Sequence, residues 1–174
     1  MKAARLFIAL WPPPEVRAAL AEWRHGWHWP RTATPVSTDR LHLTLHFLGD
    51  VPSAQLPRLA AALPCAFDPF VLSFGHCQLW PHEIAVLEPD DIPPALTQLH
   101  ARLAHSLGRL GVACDTRPYR AHATMARRAA GARPPATGPA IRWQVERYAL
   151  MQSVPGSGGG YTPLQTYGAS GDIL

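Results

Sequence analysis

No run in this 174-residue chain approaches the roughly 18 consecutive apolar residues of a membrane-spanning helix, which excludes that class of anchor. Cysteine is scarce. Cys65, Cys77 and Cys114 are odd in number and share no CxxC or zinc-like spacing, so they read as reduced, mostly buried thiols rather than a disulfide framework or zinc module. Lysine is nearly missing, since fifteen of the sixteen basic residues are arginine. The glycine-rich stretch 156–160 lacks the Gly-Lys-Ser/Thr of a phosphate-binding loop and reads as a hairpin loop. The apolar opening, residues 6–10, is too short for a secretory core and is interrupted by Pro12-Pro13-Pro14, so a cytoplasmic location is expected. With 47% hydrophobic and 16% charged residues, the composition is that of a globular chain able to bury a core.

A net charge of +4 and a pI near 9.3 suit a polyanionic partner. Arg117, Arg120, Arg127, Arg128, Arg133, Arg142 and Arg147 crowd one part of the sequence. Apolar periodicity predicts a strand over 5–10 and a proline-led helix from Pro14 with Val16, Ala19, Leu20 and Trp23 on one face. Residues 24–39 read as irregular and 41–48 as a strand ending at Gly49-Asp50. Ser53 is expected to cap a helix carrying Leu56, Leu59, Ala60 and Leu63. Strands over 70–74, 77–80 and 84–87 should follow, then a long helix over 93–110 closed by Gly111. A strand over 122–127, a loop over 129–140 and strands over 141–151 and 161–166 complete the pattern. There is no tight repeat, but each half supplies a motif strand and a packing helix, which is the organisation of two lobes within one domain, 1–174.

The motif strands carry one pattern twice. His42-Leu43-Thr44-Leu45 and His122-Ala123-Thr124-Met125 lie 80 residues apart. In a strand, side chains at i and i+2 share a face, so each copy aims an imidazole and a hydroxyl in one direction. Two histidines can serve as acid and base together, because an unperturbed pKa near 6.5 allows one ring to be neutral while another is protonated. Two hydroxyls can donate to the nonbridging oxygens of a phosphoryl group. Together these groups suffice for metal-free opening of a cyclic 2′,3′-phosphodiester. On regular alternation His46 would join His42 and Thr44 on the same face, so a His42/His46 metal pair is also conceivable, although no third ligand stands at a suitable spacing.

The segments Leu41–Val51 and Tyr119–Arg127 resemble the paired signatures of the two-histidine (2H) phosphoesterases. They are most similar to the LigT-like RNA 2′,3′-cyclic phosphodiesterases, also described as 2′-5′ RNA ligases. The opening Arg5-Leu6-Phe7-Ile8-Ala9-Leu10 and the closing Gly158-Gly159-Gly160-Tyr161-Thr162-Pro163-Leu164 resemble that family too. The resemblance implies an α+β bilobal fold, with two mainly antiparallel sheets facing a central cleft and helices outside. It implies hydrolysis of RNA 2′,3′-cyclic phosphate ends to 2′-phosphomonoesters without metal or other cofactor, with 2′-5′ joining as the reverse reaction; a monomer is the default expectation. His42 would be the proton donor to O3′ and His122 the proton acceptor from water, whereas the residues alone do not choose between these roles. Thr44, Thr124 and Arg127 match phosphate-binding positions. Phe47 and Tyr119 are the aromatic candidates for substrate contact. Ala121 stands where a proline is common, and residues 84–89 lack a tryptophan often found there. A small nucleotide-derived cyclic phosphate, a 2′-5′ oligonucleotide, or idle binding of an RNA end remain alternative readings.

Overall fold

Residues Ala3–Leu10 form the central strand β1, apolar because helices cover one face and neighbouring strands both edges. The computed structural model describes residues 2–156 and 159–174. After β1 come helix α1 (Pro14–His25), β2 (Thr34–Pro35), β3 (Leu43–Pro52), α2 (Leu56–Ala62), β4 (Phe70–Trp80), β5 (Ile84–Pro89), α3 (Pro94–Arg109), β6 (Ala123–Arg127), β7 (Ile141–Val145), β8 (Arg147–Ser153) and β9 (Tyr161–Gly168). Among the described residues the strands pair antiparallel in the order β7-β4-β5-β6-β3-β1-β8-β9, with the short β2 on β6. The fold is α+β.

Two four-stranded halves meet at β3 and β6, which share a single register pair, Leu43 opposite Ala123. This seam joins the two expected sheets into one curled surface. The anticipated strand 141–151 breaks at Glu146. β7 before the break pairs with β4 in one half, and β8 after it pairs with β1 in the other. The expected strands 70–74 and 77–80 are one strand, β4, with a register shift between Phe74 and His76.

Leu96, Leu99, Leu103 and Leu107 of α3 and Val16 and Leu20 of α1 repeat every three or four residues, and all are buried against the same core as Leu6, Ile8, Leu10, Leu43 and Leu87. α3 ends as its sequence dictates: Gly111 has φ +73°, Val112 N donates to Leu107 O at 3.0 Å and Gly111 N to Gly108 O at 3.0 Å. Ser53 does not cap α2. It opens a 3-10 turn instead, and no side chain caps the helix N-terminus. The α2 end is served from the sheet, where Tyr148 Oη donates to Leu63 O at 2.6 Å and Tyr167 Oη to Ala60 O at 2.9 Å. The irregular stretch 24–39 is pinned by the buried Arg24, whose guanidinium donates to Val36 O and to Thr38 Oγ1 at 3.1 Å. Of the glycine-rich stretch 156–160, Ser157 and Gly158 lie outside the described residues. No described helix is long and apolar enough to cross a membrane.

Candidate active site

The face of the sheet opposite the main core holds a cleft of about 660 Å³, centred on the seam. Its lining includes His42, Thr44, Phe47, His122, Thr124 and Arg127, together with Arg5, Phe7, Arg40, Arg117 and Tyr161. The reason for the convergence is local. Leu43 and Ala123 are the middle residues of the two motifs, they lie opposite each other, and both point into the core. Antiparallel register then sets His42 across from Thr124 and Thr44 across from His122, all on the cleft face. One bridge thus makes a local two-fold arrangement of two imidazoles and two hydroxyls.

Both strands bulge directly after the threonine. Ala9 pairs with Thr44 and Ile8 with His46, leaving Leu45 as an extra residue; Val86 pairs with Thr124 and Ala85 with Ala126, leaving Met125 extra. Each bulge resets the alternation, so the third residue after threonine returns to the cleft. In the first motif that residue is Phe47, 48% exposed; in the second it is Arg127. His46 is consequently turned into the core, where it is 4% exposed, stacks on His100 at 4.0 Å and has Nε2 2.8 Å from His100 O. The His42/His46 metal pair is therefore ruled out by geometry, because the two rings lie on opposite faces. No cluster of three or more potential metal-ligating side chains occurs among the described residues.

Tyr119 is not part of the cleft lining. Its ring stacks on His100 at 4.0 Å and its hydroxyl donates to Thr44 O at 3.1 Å, so it braces the back of the first motif strand. Burial pushes its phenol well above the usual range.

Both imidazoles are oriented by the same device. His42 Nδ1 is 2.7 Å from Arg40 O and His122 Nδ1 is 2.8 Å from Arg120 O. A carbonyl only accepts, so each Nδ1 carries its hydrogen and each Nε2 is the working nitrogen. His42 Nε2 also lies 2.9 Å from Thr44 Oγ1. His42 packs against Phe7 (5.1 Å), Tyr161 (5.2 Å) and Trp11 (5.8 Å), and His122 against Trp80 (4.3 Å). Burial holds the His42 pKa down to about 4, partly offset by the Arg40 carbonyl and reinforced by the charges of His122, Arg127 and Arg17. Burial also lowers His122, where the Arg120 carbonyl and Glu88 work in the opposite direction and Arg120 and Arg127 add to the lowering. Arg127 thus bears on both rings. Among the described lining residues there are four arginines and no carboxylate, so the cleft is an anion site by composition.

The LigT-like phosphoesterase family model matches residues 10–85. A Thermus thermophilus protein named RNA 2′,3′-cyclic phosphodiesterase is 33% identical over 97% of this chain and 91% of its own length. An Escherichia coli protein of the same name is 32% identical over 94% and 95%. The chain belongs to the LigT-like RNA 2′,3′-cyclic phosphodiesterases. Its fold agrees: the crystal structure of Escherichia coli LigT complexed with 3′-AMP matches with a TM-score of 0.87 at 29% identity, covering 96% of this chain and 98% of that one. A crystal structure described as a phosphoesterase matches with a TM-score of 0.88 at 28% identity, covering 97% and 99%.

In this LigT-like chain several cleft groups were not singled out from the sequence. Phe7, Tyr161, Arg5 and Arg40 line the cleft from outside the two motifs, and Trp11 packs on His42 without lining the cleft. Pairing parity would have found some of them, because Arg5 and Phe7 face the same side as Ser153 and Met151, and Ser153 pairs with Tyr161. A tryptophan stands on the strand paired with 84–89: Trp80 is the register partner of Ile84 and shares a face with Val86 and Glu88.

Proposed function

We propose that this protein hydrolyses RNA 2′,3′-cyclic phosphate ends to 2′-phosphomonoesters, acting as a cytoplasmic monomer through metal-free acid/base catalysis by His42 and His122. The observation that carries this reading is the seam pair Leu43/Ala123, which brings both motifs to one arginine-lined cleft. A cyclic phosphate seated between the rings presents one P–O bond to each side. His122 Nε2 takes a proton from water, and the hydroxide attacks phosphorus. The P–O3′ bond breaks, and the His42 imidazolium gives its proton to O3′. Thr44, Thr124 and Arg127 hold the nonbridging oxygens, where charge builds up.

The low proton affinity of His42 fits the donor role: an imidazolium that is hard to form gives up its proton readily. The phosphate anion itself restores protonation in the complex by offering a negative charge to Nε2–H. His122, with Glu88 nearby, is the better base of the two. Microscopic reversibility makes 2′-5′ joining of RNA ends the reverse of the same chemistry. The curated names of the relatives, which denote this activity, support the substrate class. The test is to incubate the protein with an RNA ending in 2′,3′-cyclic phosphate, with and without EDTA. The expected result is a 2′-phosphate end formed at the same rate in both. A 3′-phosphate product, or binding without turnover, would overturn the reading.

A further inference from the structure

Each cleft imidazole rests on an indole, and each indole carries a guanidinium. Trp11 stacks on His42 with an interplanar angle of 24° and centroids 5.8 Å apart, and Arg17 Cζ lies 4.7 Å from the Trp11 ring centroid. Trp80 packs on His122 at 4.3 Å, and Arg120 Cζ lies 4.3 Å from the Trp80 centroid. The two layered sets, Arg17–Trp11–His42 and Arg120–Trp80–His122, come from unrelated parts of the chain. Trp11 and Arg17 belong to the β1–α1 corner and Trp80 to the end of β4, while Arg120 precedes the second motif.

The two sets differ in how the arginine is neutralised. Arg120 forms an ion pair with Glu88 at 2.7 Å, and the Glu88 side chain is only 14% exposed. Arg17 makes no ion pair among the described residues. Its Nη2 donates to Pro12 O at 3.1 Å, its buried Nε has no partner, and Asp39 acts on it only at longer range. A positive charge held on an aromatic ring by cation–π contact opposes a second positive charge on an imidazole packed against the same ring. Beside His42 that charge has no ion-pair partner among the described residues; beside His122 a carboxylate cancels it.

We propose that Arg17 (acting through Trp11) and the Glu88–Arg120 pair (acting beside Trp80) are positioning residues that give the two cleft histidines separately adjustable, unequal proton affinities. This rests on the acid/base reading above, but its test does not. Arg17 from α1, Arg127 from β6 and His122 act on His42, while Glu88 from β5, Arg120 and Arg127 act on His122; Arg5, Arg40 and Arg117 also line the cleft that holds both rings. Arg127 is common to both, so it cannot make them differ in kind. Burial is the largest influence on each ring, and among the charges the difference lies with Arg17 and Glu88.

The experiment is an NMR titration of the His42 and His122 imidazoles in the full chain, assigned with the single histidine variants, and needs no substrate. Arg17→Met keeps the stem on Trp11 and removes the charge. It should raise the His42 midpoint by at least roughly 0.3 pH units and leave His122 in place. Glu88→Gln should lower the His122 midpoint and leave His42 in place. Arg17→Lys and Glu88→Asp keep their charges and should return each midpoint toward wild type. If Arg17→Met does not fold, Arg17→Lys combined with Glu88→Gln decides between the alternatives, since only His122 should then move. Both midpoints moving together, or neither moving, would overturn the assignment. Unequal, separately adjustable midpoints in a protein that turns over no cyclic phosphate would leave this inference standing and remove the proposed function instead.

Discussion

In both motifs the imidazole donates from Nδ1 to the carbonyl two residues earlier, lies against an indole, and is followed by a threonine, a bulge and a third residue turned into the cleft. The two halves part company in what surrounds that frame. The first surrounds His42 with Phe7, Trp11 and Tyr161, adds a contact from Thr44 Oγ1, and ends on Phe47. The second leaves His122 beside an ion pair and ends on Arg127. On the proposed mechanism, equal frames place two equivalent groups at one phosphorus and unequal surroundings let them do opposite jobs. A site that must donate a proton on one side and accept one on the other needs both properties.

Removing either imidazole breaks the comparison outright. His42→Ala and His122→Ala should each reduce kcat by at least about a hundredfold, with an unchanged circular dichroism spectrum. The threonines come next. Thr44→Val should cost more than Thr124→Val, on the order of a hundredfold against a smaller loss, because only Thr44 also contacts the working nitrogen of its histidine. Steady-state rates on a cyclic nucleotide measure both.

The third cleft residues should separate by kinetic constant. Arg127→Gln removes a charge aimed at the phosphate and should raise KM by about tenfold, whereas Phe47→Ala should have a smaller effect, confined to longer RNA substrates. The pH profile sharpens the contrast further. Both rings titrate below their ordinary value near 6.5, so the kcat/KM bell should be centred on the acid side of it. The kcat bell should lie higher, since a bound phosphate anion favours imidazolium.

The smallest expected effect concerns stability. Burial lowers the pKa of His46, and burial together with the His46 charge takes that of His100 to about 4. The unfolded chain, with histidines near 6.5, therefore binds more protons below that pH, and stability falls as pH drops from 6.5 toward 4. His100→Phe, which keeps a ring in the stack, should flatten this dependence in urea unfolding at pH 7 and pH 5.

Much of this site was legible in the sequence because its catalytic side chains occupy one repeated spacing on two apolar strands, and Arg127 follows its motif at a fixed distance. Strict alternation failed at the bulges. It put His46 beside His42, although Leu45 is an extra residue that turns His46 inward and Phe47 outward. An aromatic before a motif suits base stacking, whereas the Tyr119 hydroxyl donates to Thr44 O and its ring lies against His100. Trp11, Trp80 and Glu88 carried no local pattern, since long-range pairing is what delivers them to the rings. The break at Glu146 was hidden for a similar reason: nothing in residues 141–151 interrupts the β-like composition, and only the switch of partner strands divides it.

The most direct test of the two-histidine claim is a comparison of His42→Ala, His122→Ala and the double variant on an RNA ending in 2′,3′-cyclic phosphate, with the product followed by phosphorus NMR. Groups that act on one phosphorus as a unit lose their effect together, so the double variant should be about as slow as either single one, and the wild type should form only the 2′-phosphate. A double variant slowed by the product of the two single losses would mean independent groups and would contradict the account.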